Sequence, residues 1–339
     1  FSPLWGKLSD RVGRRPVLLI SIAANCIAML FFAASSTLVL FFLARAFAGM
    51  ANANIGTAQA YVADILPGEE RAKGMGLVGA AIGMGFVLGP AIGGLLAPLG
   101  TAAPALAAAA LSGLNFVLAF FLLPESLSPE AREAAKARRS SRLRTFIAAL
   151  DHPLLPLLFL LFFLLTVAFA QMEATFALFT QARFGYGTAE NGYLFAFIGV
   201  ALALVQGGLV APMRRVLGES AMLLGGTLVL GAGLLWLAQV QSMAGLLGAC
   251  VVLAIGHGIS NPALSTLVSH QAAEHQQGQV LGVNQSMASL ARVVGPLLGG
   301  LAFEKGSEIA PFLSSAAIVF LAALVALRVF RRRGLAEGP

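Results

Sequence analysis

Ten apolar stretches of near twenty residues, separated by short polar turns, recur along this chain, over 17–35, 38–62, 75–97, 103–123, 154–180, 190–212, 221–240, 243–268, 280–303 and 310–330. About twenty apolar residues in a helix cross a ~30 Å hydrocarbon core. Each stretch is therefore expected to span a membrane, and the chain to be an all-α membrane protein. Composition agrees: of 339 residues, 58% are apolar and 11% charged, at a mean hydropathy of +0.85, whereas about a quarter of the residues of soluble domains are charged. Too few polar groups are available to cover a surface in water. Cys26 and Cys250 both fall inside spans, where a cysteine serves as a small apolar filler rather than as part of a disulfide framework.

The net charge of +7 invites a nucleic-acid reading, so the placement of the cations decides the matter. Eighteen of the 22 Lys and Arg lie in alternate loops or at chain ends: Lys7 to Arg15, Arg71 and Lys73, Arg132 to Arg144, Arg214 and Arg215, and Arg328 to Arg333. The opposite loops carry only Arg183 and Lys305. Such a bias marks the charged side as cytoplasmic. It places residues 124–153 and the C-terminus inside and excludes a nucleic-acid partner.

Residues 124–153 form the one extended polar stretch, expected to be partly helical from Pro129 to Arg144. It reads as a cytoplasmic linker between an N-terminal membrane half, 1–123, and a C-terminal half, 154–339. Internal repetition supports two halves. At an offset of 206, Gly76, Val87, Gly89, Pro90, Gly93, Gly94 and Leu95 match Gly282, Val293, Gly295, Pro296, Gly299, Gly300 and Leu301. Repeats of this kind build transporters whose site lies at the midplane.

Three constellations carry chemistry. The first is the turn Gly6-Lys7-Leu8-Ser9-Asp10-Arg11-Val12-Gly13-Arg14-Arg15-Pro16. Gly6 and Gly13 permit positive φ and close approach, while Asp10 is placed to cap a helix or pair with Arg11, Arg14 or Arg15. The corresponding turn of the second half, Gly208 to Glu219, keeps Arg214 and Arg215 but has Ala211 and Pro212 where an Asp-Arg is expected, a degenerate version. The second is Gly85-Phe86-Val87-Leu88-Gly89-Pro90-Ala91-Ile92-Gly93-Gly94, whose glycines let helices approach closely and whose Pro90 removes a backbone donor.

The third is a set of polar residues inside spans. Arg45, Gly49, Asn52, Gly56 and Gln59 share one helical face, and charge at membrane depth marks a cavity or a partner. Gln171 and Glu173 lie in the span 154–180, with Thr166, Glu173 and Thr180 on one face. Glu173 is the acid best placed inside a span, and a carboxyl there can take and release a proton. Its alternative is a static ion pair with Arg292, which shares a face with Gln285 and Ser289. His257 and Asn261 make a second patch, fit for a proton shuttle or for packing. Phe176, Phe179, Tyr193, Phe195 and Phe197 are candidates to line an apolar pocket. No metal, nucleotide or nucleophile constellation is present, which argues against an enzyme and against any cofactor.

These residues resemble the major facilitator superfamily across the whole chain, most closely its twelve-span drug/proton antiporters, including bacterial tetracycline exporters. The likeness rests on the first turn, Tyr61-Val62-Ala63-Asp64, Glu70-Arg71-Ala72, Gly89-Pro90 to Gly94, Leu123-Pro124-Glu125-Ser126 and Gly295-Pro296. It implies two pseudo-symmetric six-helix halves. About ten spans are visible here, and the first helix and most of the second would lie upstream of Phe1. It further implies a gate formed by the first turn with Asp64, and an antiporter motif at Gly85 to Gly94. For Arg45 it implies proton transfer or the holding of a neighbouring acid. Ala28 and a residue near Val229 stand where tetracycline exporters carry acids inside their third and ninth helices, so the substrate is not inherited.

The expected function is secondary transport driven by the proton gradient, exporting small amphipathic or lipophilic compounds through a multi-pass protein of a bacterial inner membrane, acting as a monomer. Its partners are a small-molecule substrate, protons and the lipid bilayer. The alternatives are a proton-coupled symporter or facilitator for sugars, organic acids or other metabolites, and a non-transporting membrane receptor on the same fold.

Overall fold

The computed structural model describes residues 2–51, 54–66, 68–127, 133, 154–271 and 277–336. Asn52 and the expected linker helix over 129–144, apart from Glu133, lie outside them. Helix is the regular structure of the described residues, with no strand among them. The chain divides into two compact units, residues 1–139 and 140–339.

Unit 1 contains α1 (Ser2–Val12), α2 (Arg14–Ala33), α3 (Leu38–Ala51), α4 (Asn54–Ile65), α5 (Gly68–Leu96) and α6 (Ala103–Leu122). Unit 2 contains α7 (Leu155–Phe184), α8 (Thr188–Leu204), α9 (Val210–Gln239), α10 (Met243–His270), α11 (Gln277–Lys305) and α12 (Ala310–Ala336). A five-residue π-helical segment, Val205–Leu209, joins α8 to α9.

Eight helical stretches among the described residues are long and apolar enough to cross a membrane. One of them, Thr188–Gln239, has 52 residues, about 78 Å at the α-helical rise and too long for one crossing. It divides at Gly218, whose φ of 72° and ψ of 163° are not helical. With that division the described residues hold nine stretches of spanning length, and the 29-residue α5 is long enough for a tenth.

Inside unit 2, glycines let backbones meet where apolar side chains alone offer no driving force in lipid. A Cβ on Gly226 would come within 2.8 Å of Ser260 N, and one on Gly233 within 3.1 Å of Leu253 N, so α9 and α10 touch nearly backbone to backbone. The core of the unit gathers Leu158, Leu161, Phe176, Phe179, Leu223, Leu234 and Phe312, all essentially inaccessible. Helix ends are closed locally: Ser242 Oγ accepts from Gly245 N at the start of α10, and Gly185 at φ 70° ends α7 in the left-handed form. Cys26 and Cys250 are both free.

Unit 1 is built around α2. Ser21 Oγ donates to Ala51 O in α3, and Asn25 Nδ2 donates to Ser112 Oγ in α6 at 2.8 Å. Cys26 Sγ lies 3.3 Å from Ala109 O. These contacts fix the depth of α2 against its neighbours and so position its N-terminus, where the charged turn sits.

Candidate functional site

The chain cannot continue straight from α1 into α2, because Gly13 takes φ 119° and ψ 158°, a region open only to glycine. The reversal aims Arg14 back over the turn. Its Nη1 meets Asp10 and donates to Ser9 Oγ at 2.7 Å, while its Nε donates to Asp64 Oδ2 at 2.9 Å at the end of α4. The Arg14 side chain is only 11% exposed, so its charge is satisfied by these carboxylates rather than by water. Ser9 Oγ in turn donates to Gly6 O.

The N-terminal backbone donors of α2 need an acceptor, and Gly13 has no side chain to supply one. Glu125, just past α6, fills the role: its carboxylate accepts from Arg14 N at 2.9 Å and from Arg15 N at 3.3 Å. The same carboxylate accepts from Ser126 N and Leu127 N. Tyr61 donates to Pro124 O and Ser126 Oγ to Asp64. Arg15 reaches Phe120 O at 2.7 Å and lies over the Phe120 ring. The ends of α1, α2, α4 and α6 are thus tied into one charged node.

Sequence reasoning placed Asp10, Arg14 and Asp64 in this node and left Glu125, Ser9, Tyr61 and Ser126 without a role. The available signal was a lone carboxylate after Pro124 with no charged neighbour in sequence, next to a helix start lacking a capping side chain. Arg11 is exposed, and no partner for it is seen among the described residues.

Elsewhere in unit 1, Arg45 is exposed on α3 and lies 4.7 Å from the Phe32 ring centre. Gln59 is exposed on α4. On α5, a Cβ built on Gly85, Gly89 or Gly93 would meet nothing within 4 Å among the described residues. Gly94 is buried.

In unit 2, Gln171 is fully buried; its Nε2 donates to Pro311 O at 2.9 Å and also meets Ser314 Oγ. It pins α7 to α12. Glu173 is exposed on the same helix. Arg292 of α11 acts on it electrostatically, without a direct ion pair among the described residues. Gln285 is exposed on the face of Arg292. His257 stacks on Phe169, with ring centres 4.0 Å apart and planes 17° from parallel, and its Nε2 lies 3.3 Å from Asn261 Nδ2. These two residues, with Thr166, Ser260 and Phe162, line a small cleft between α7 and α10. Of the aromatic residues, Phe176 and Phe179 are core, whereas Tyr193 and Phe197 are exposed. No His, Cys, Asp and Glu group fit to hold a metal occurs among the described residues.

The family model of the Major Facilitator Superfamily matches residues 1–296 and again 215–338. The chain belongs to the major facilitator superfamily. Tetracycline resistance protein, class C, of Escherichia coli is 34% identical over 297 residues, 88% of this chain and 74% of that protein. Multidrug resistance protein 2 of Bacillus subtilis is 31% identical over 308 residues, 89% of this chain and 76% of its own length. The crystal structure of the human organic anion transporter MFSD10 (TETRAN) superposes with a TM-score of 0.73 at 28% identity, covering 96% of this chain and 80% of that one. The superfamily protein described here is accordingly a multi-pass membrane transporter for a small molecule rather than an enzyme.

Proposed function

We propose that this transporter exports small amphipathic or lipophilic compounds in exchange for protons, its two halves rocking about a central cavity as a monomer. We place it in a bacterial cell membrane with the linker and C-terminus in the cytoplasm. The observation that carries the reading is the node on Arg14. One guanidinium bridges carboxylates at the ends of α1 and α4, and one further carboxylate after α6 caps α2. The node ties these four helix ends of unit 1 to one another, and the turn so held is our candidate for the gate. Similarity to tetracycline and multidrug resistance proteins supports export as the direction.

Coupling requires a group whose protonation changes the balance between the two arrangements. Glu173 is our choice: it is exposed on α7 and feels Arg292, so taking up a proton removes that attraction. Gln285, Arg45, Asn52, Gln59, His257 and Asn261 are our further candidates for proton coupling or substrate contact. Gly85, Gly89, Pro90, Gly93 and Gly94 serve as the face along which α5 slides. Gly6, Asp10, Arg11, Gly13, Arg14, Arg15 and Asp64 form the gate.

A second reading has one observation in its favour. Arg45 has no acid partner among the described residues, and the human structural relative is an organic anion transporter, so a carboxylated substrate is the competing cargo.

The test is proton movement in vesicles carrying a pH-sensitive dye, with lipophilic cations, tetracyclines or aromatic carboxylates added under an imposed pH gradient. Proton release triggered by the cations or tetracyclines, and abolished by Glu173→Gln, supports the first reading. Release triggered by carboxylates alone and lost in Arg45→Gln supports the second. Substrate flux without proton movement rejects proton coupling.

A further inference from the structure

One end of unit 2 carries a group of cations that neither the gate nor the proposed proton path uses. Arg183, in the last turn of α7, fixes the geometry of the other end: it donates to Val240 O, one residue past α9, and pairs with Glu308, two residues before α12. The end of α9 and the start of α12 therefore lie together. The two helices pack along their length, for a Cβ on Gly231 would fall 3.0 Å from the Phe320 ring. They are antiparallel, so their other ends also coincide.

Counting 21 residues back from Gln239 reaches Gly218, and 21 forward from Ala310 reaches Arg331, about 32 Å along each helix. Arg328 and Arg331 thus stand level with the Gly218 break, and Arg214 and Arg215 lie in the turn of helix that leads into it. All four are exposed, and no acid pairs with them among the described residues. Glu219, half-buried beside Gly218, is the one acid in these turns of α9 and α12, so positive charge is in excess.

The same turns expose carbon. Val216 is 81% exposed and Leu217 51%, and Phe330 lies between Arg328 and Arg331 on the last turns of α12, also exposed. Guanidinium groups bind phosphate through paired N–H donors, whereas Val216, Leu217 and Phe330 call for a hydrocarbon neighbour. An anionic phospholipid supplies both from one molecule. We infer that the Arg214, Arg215, Arg328 and Arg331 end of unit 2 binds the phosphate headgroup of an anionic phospholipid, with its acyl chains against Val216, Leu217 and Phe330. Cation clusters at the ends of membrane helices attract such lipids.

The test uses the full chain in nanodiscs of mixed phosphatidylglycerol and phosphatidylcholine, with the lipids retained after extraction counted by mass spectrometry. Wild type is expected to retain phosphatidylglycerol over phosphatidylcholine by at least about fivefold. R214Q/R215Q/R328Q/R331Q is expected to lose that preference. The charge-matched control R138Q/R139Q/R142Q/R144Q, in residues 124–153, is expected to keep it. Equal loss in both variants, no preference in wild type, or displacement of the lipid by millimolar inorganic phosphate overturns the proposal. Should the glutamine variant fail to fold, R214K/R215K decides: it keeps the charge and removes the paired-donor geometry, so reduced retention supports a headgroup site and unchanged retention overturns it. Transport is not the readout, so the result stands apart from the fate of the antiport reading.

Discussion

The two Gly-Pro segments share Gly89, Pro90, Gly93 and Gly94 with Gly295, Pro296, Gly299 and Gly300 at the offset of 206 and yet meet different surroundings. In α11, a Cβ on Gly295 would lie 2.7 Å from Val167 O, and one on Gly299 3.0 Å from the Gln171 side chain. The glycines are there because α7 is pressed against them. In α5, a Cβ on the matching Gly89 or Gly93 would meet nothing within 4 Å among the described residues. At the offset of 206, α7 corresponds to no residue of this chain. The motif therefore encodes a face able to receive a helix backbone, and whether the face is filled depends on what packs there.

That contrast is broken or sharpened most directly by adding side chains. Gly299→Val is expected to cost roughly 3 kcal/mol through overpacking against α7, while Gly93→Val costs less than about 0.5 kcal/mol. Thermal melting of the purified variants compares them, and an equal loss at both positions would mean that α5 is as tightly covered as α11.

The next effect concerns the charged node, which unit 1 has and the corresponding turn of unit 2 lacks. Arg14→Ala strands Asp10 and Asp64 and is expected to lose about 2 kcal/mol and at least tenfold in initial transport rate, whereas Arg11→Ala leaves stability within about 0.5 kcal/mol. Flux assays and melting curves on both variants check this, and similar losses would show that Arg11 shares the load.

A feature common to both units should respond alike. Gly13 and Gly218 each occupy a positive-φ conformation with extended ψ, so Gly13→Ala and Gly218→Ala are each expected to cost about 1.5 kcal/mol. Denaturation of the pair under identical conditions tests the equivalence of the two breaks.

The smallest effect separates a helix cap from an exposed ion pair. Glu125→Gln weakens the cap of α2 by about 1 kcal/mol, while Glu308→Gln, at a pair whose side chains are roughly a quarter exposed, costs about 0.5 kcal/mol. Hydrogen exchange at the first turn of α2 distinguishes them, since only the first variant should speed it.

Apolar run length alone foretold the membrane helices, because a hydrocarbon layer demands about twenty apolar residues per crossing whatever their order. The break at Gly218 was legible to within a few residues, because Arg214 and Arg215 interrupt the apolar pattern there. Asp10, Arg14 and Asp64 of the charged node were legible from their spacing and from family resemblance. The function of Glu125 was not, since an acid 111 positions from Arg14 becomes a helix cap only when α6 packs against α2. Gln171 reads in sequence like any polar residue inside a span, and only the approach of α12 turns it into a pin between two helices.

The sequence by itself determined the class of molecule and the rough limits of its membrane helices, which follow from local composition and spacing, and, through the motifs it shares, the family to which it belongs. Tertiary structure alone decided which glycines are filled, which carboxylate each arginine meets and which cations are left free at the end of unit 2. Those outcomes depend on contacts between residues far apart in the chain, and a one-dimensional pattern carries no distance across a helix interface.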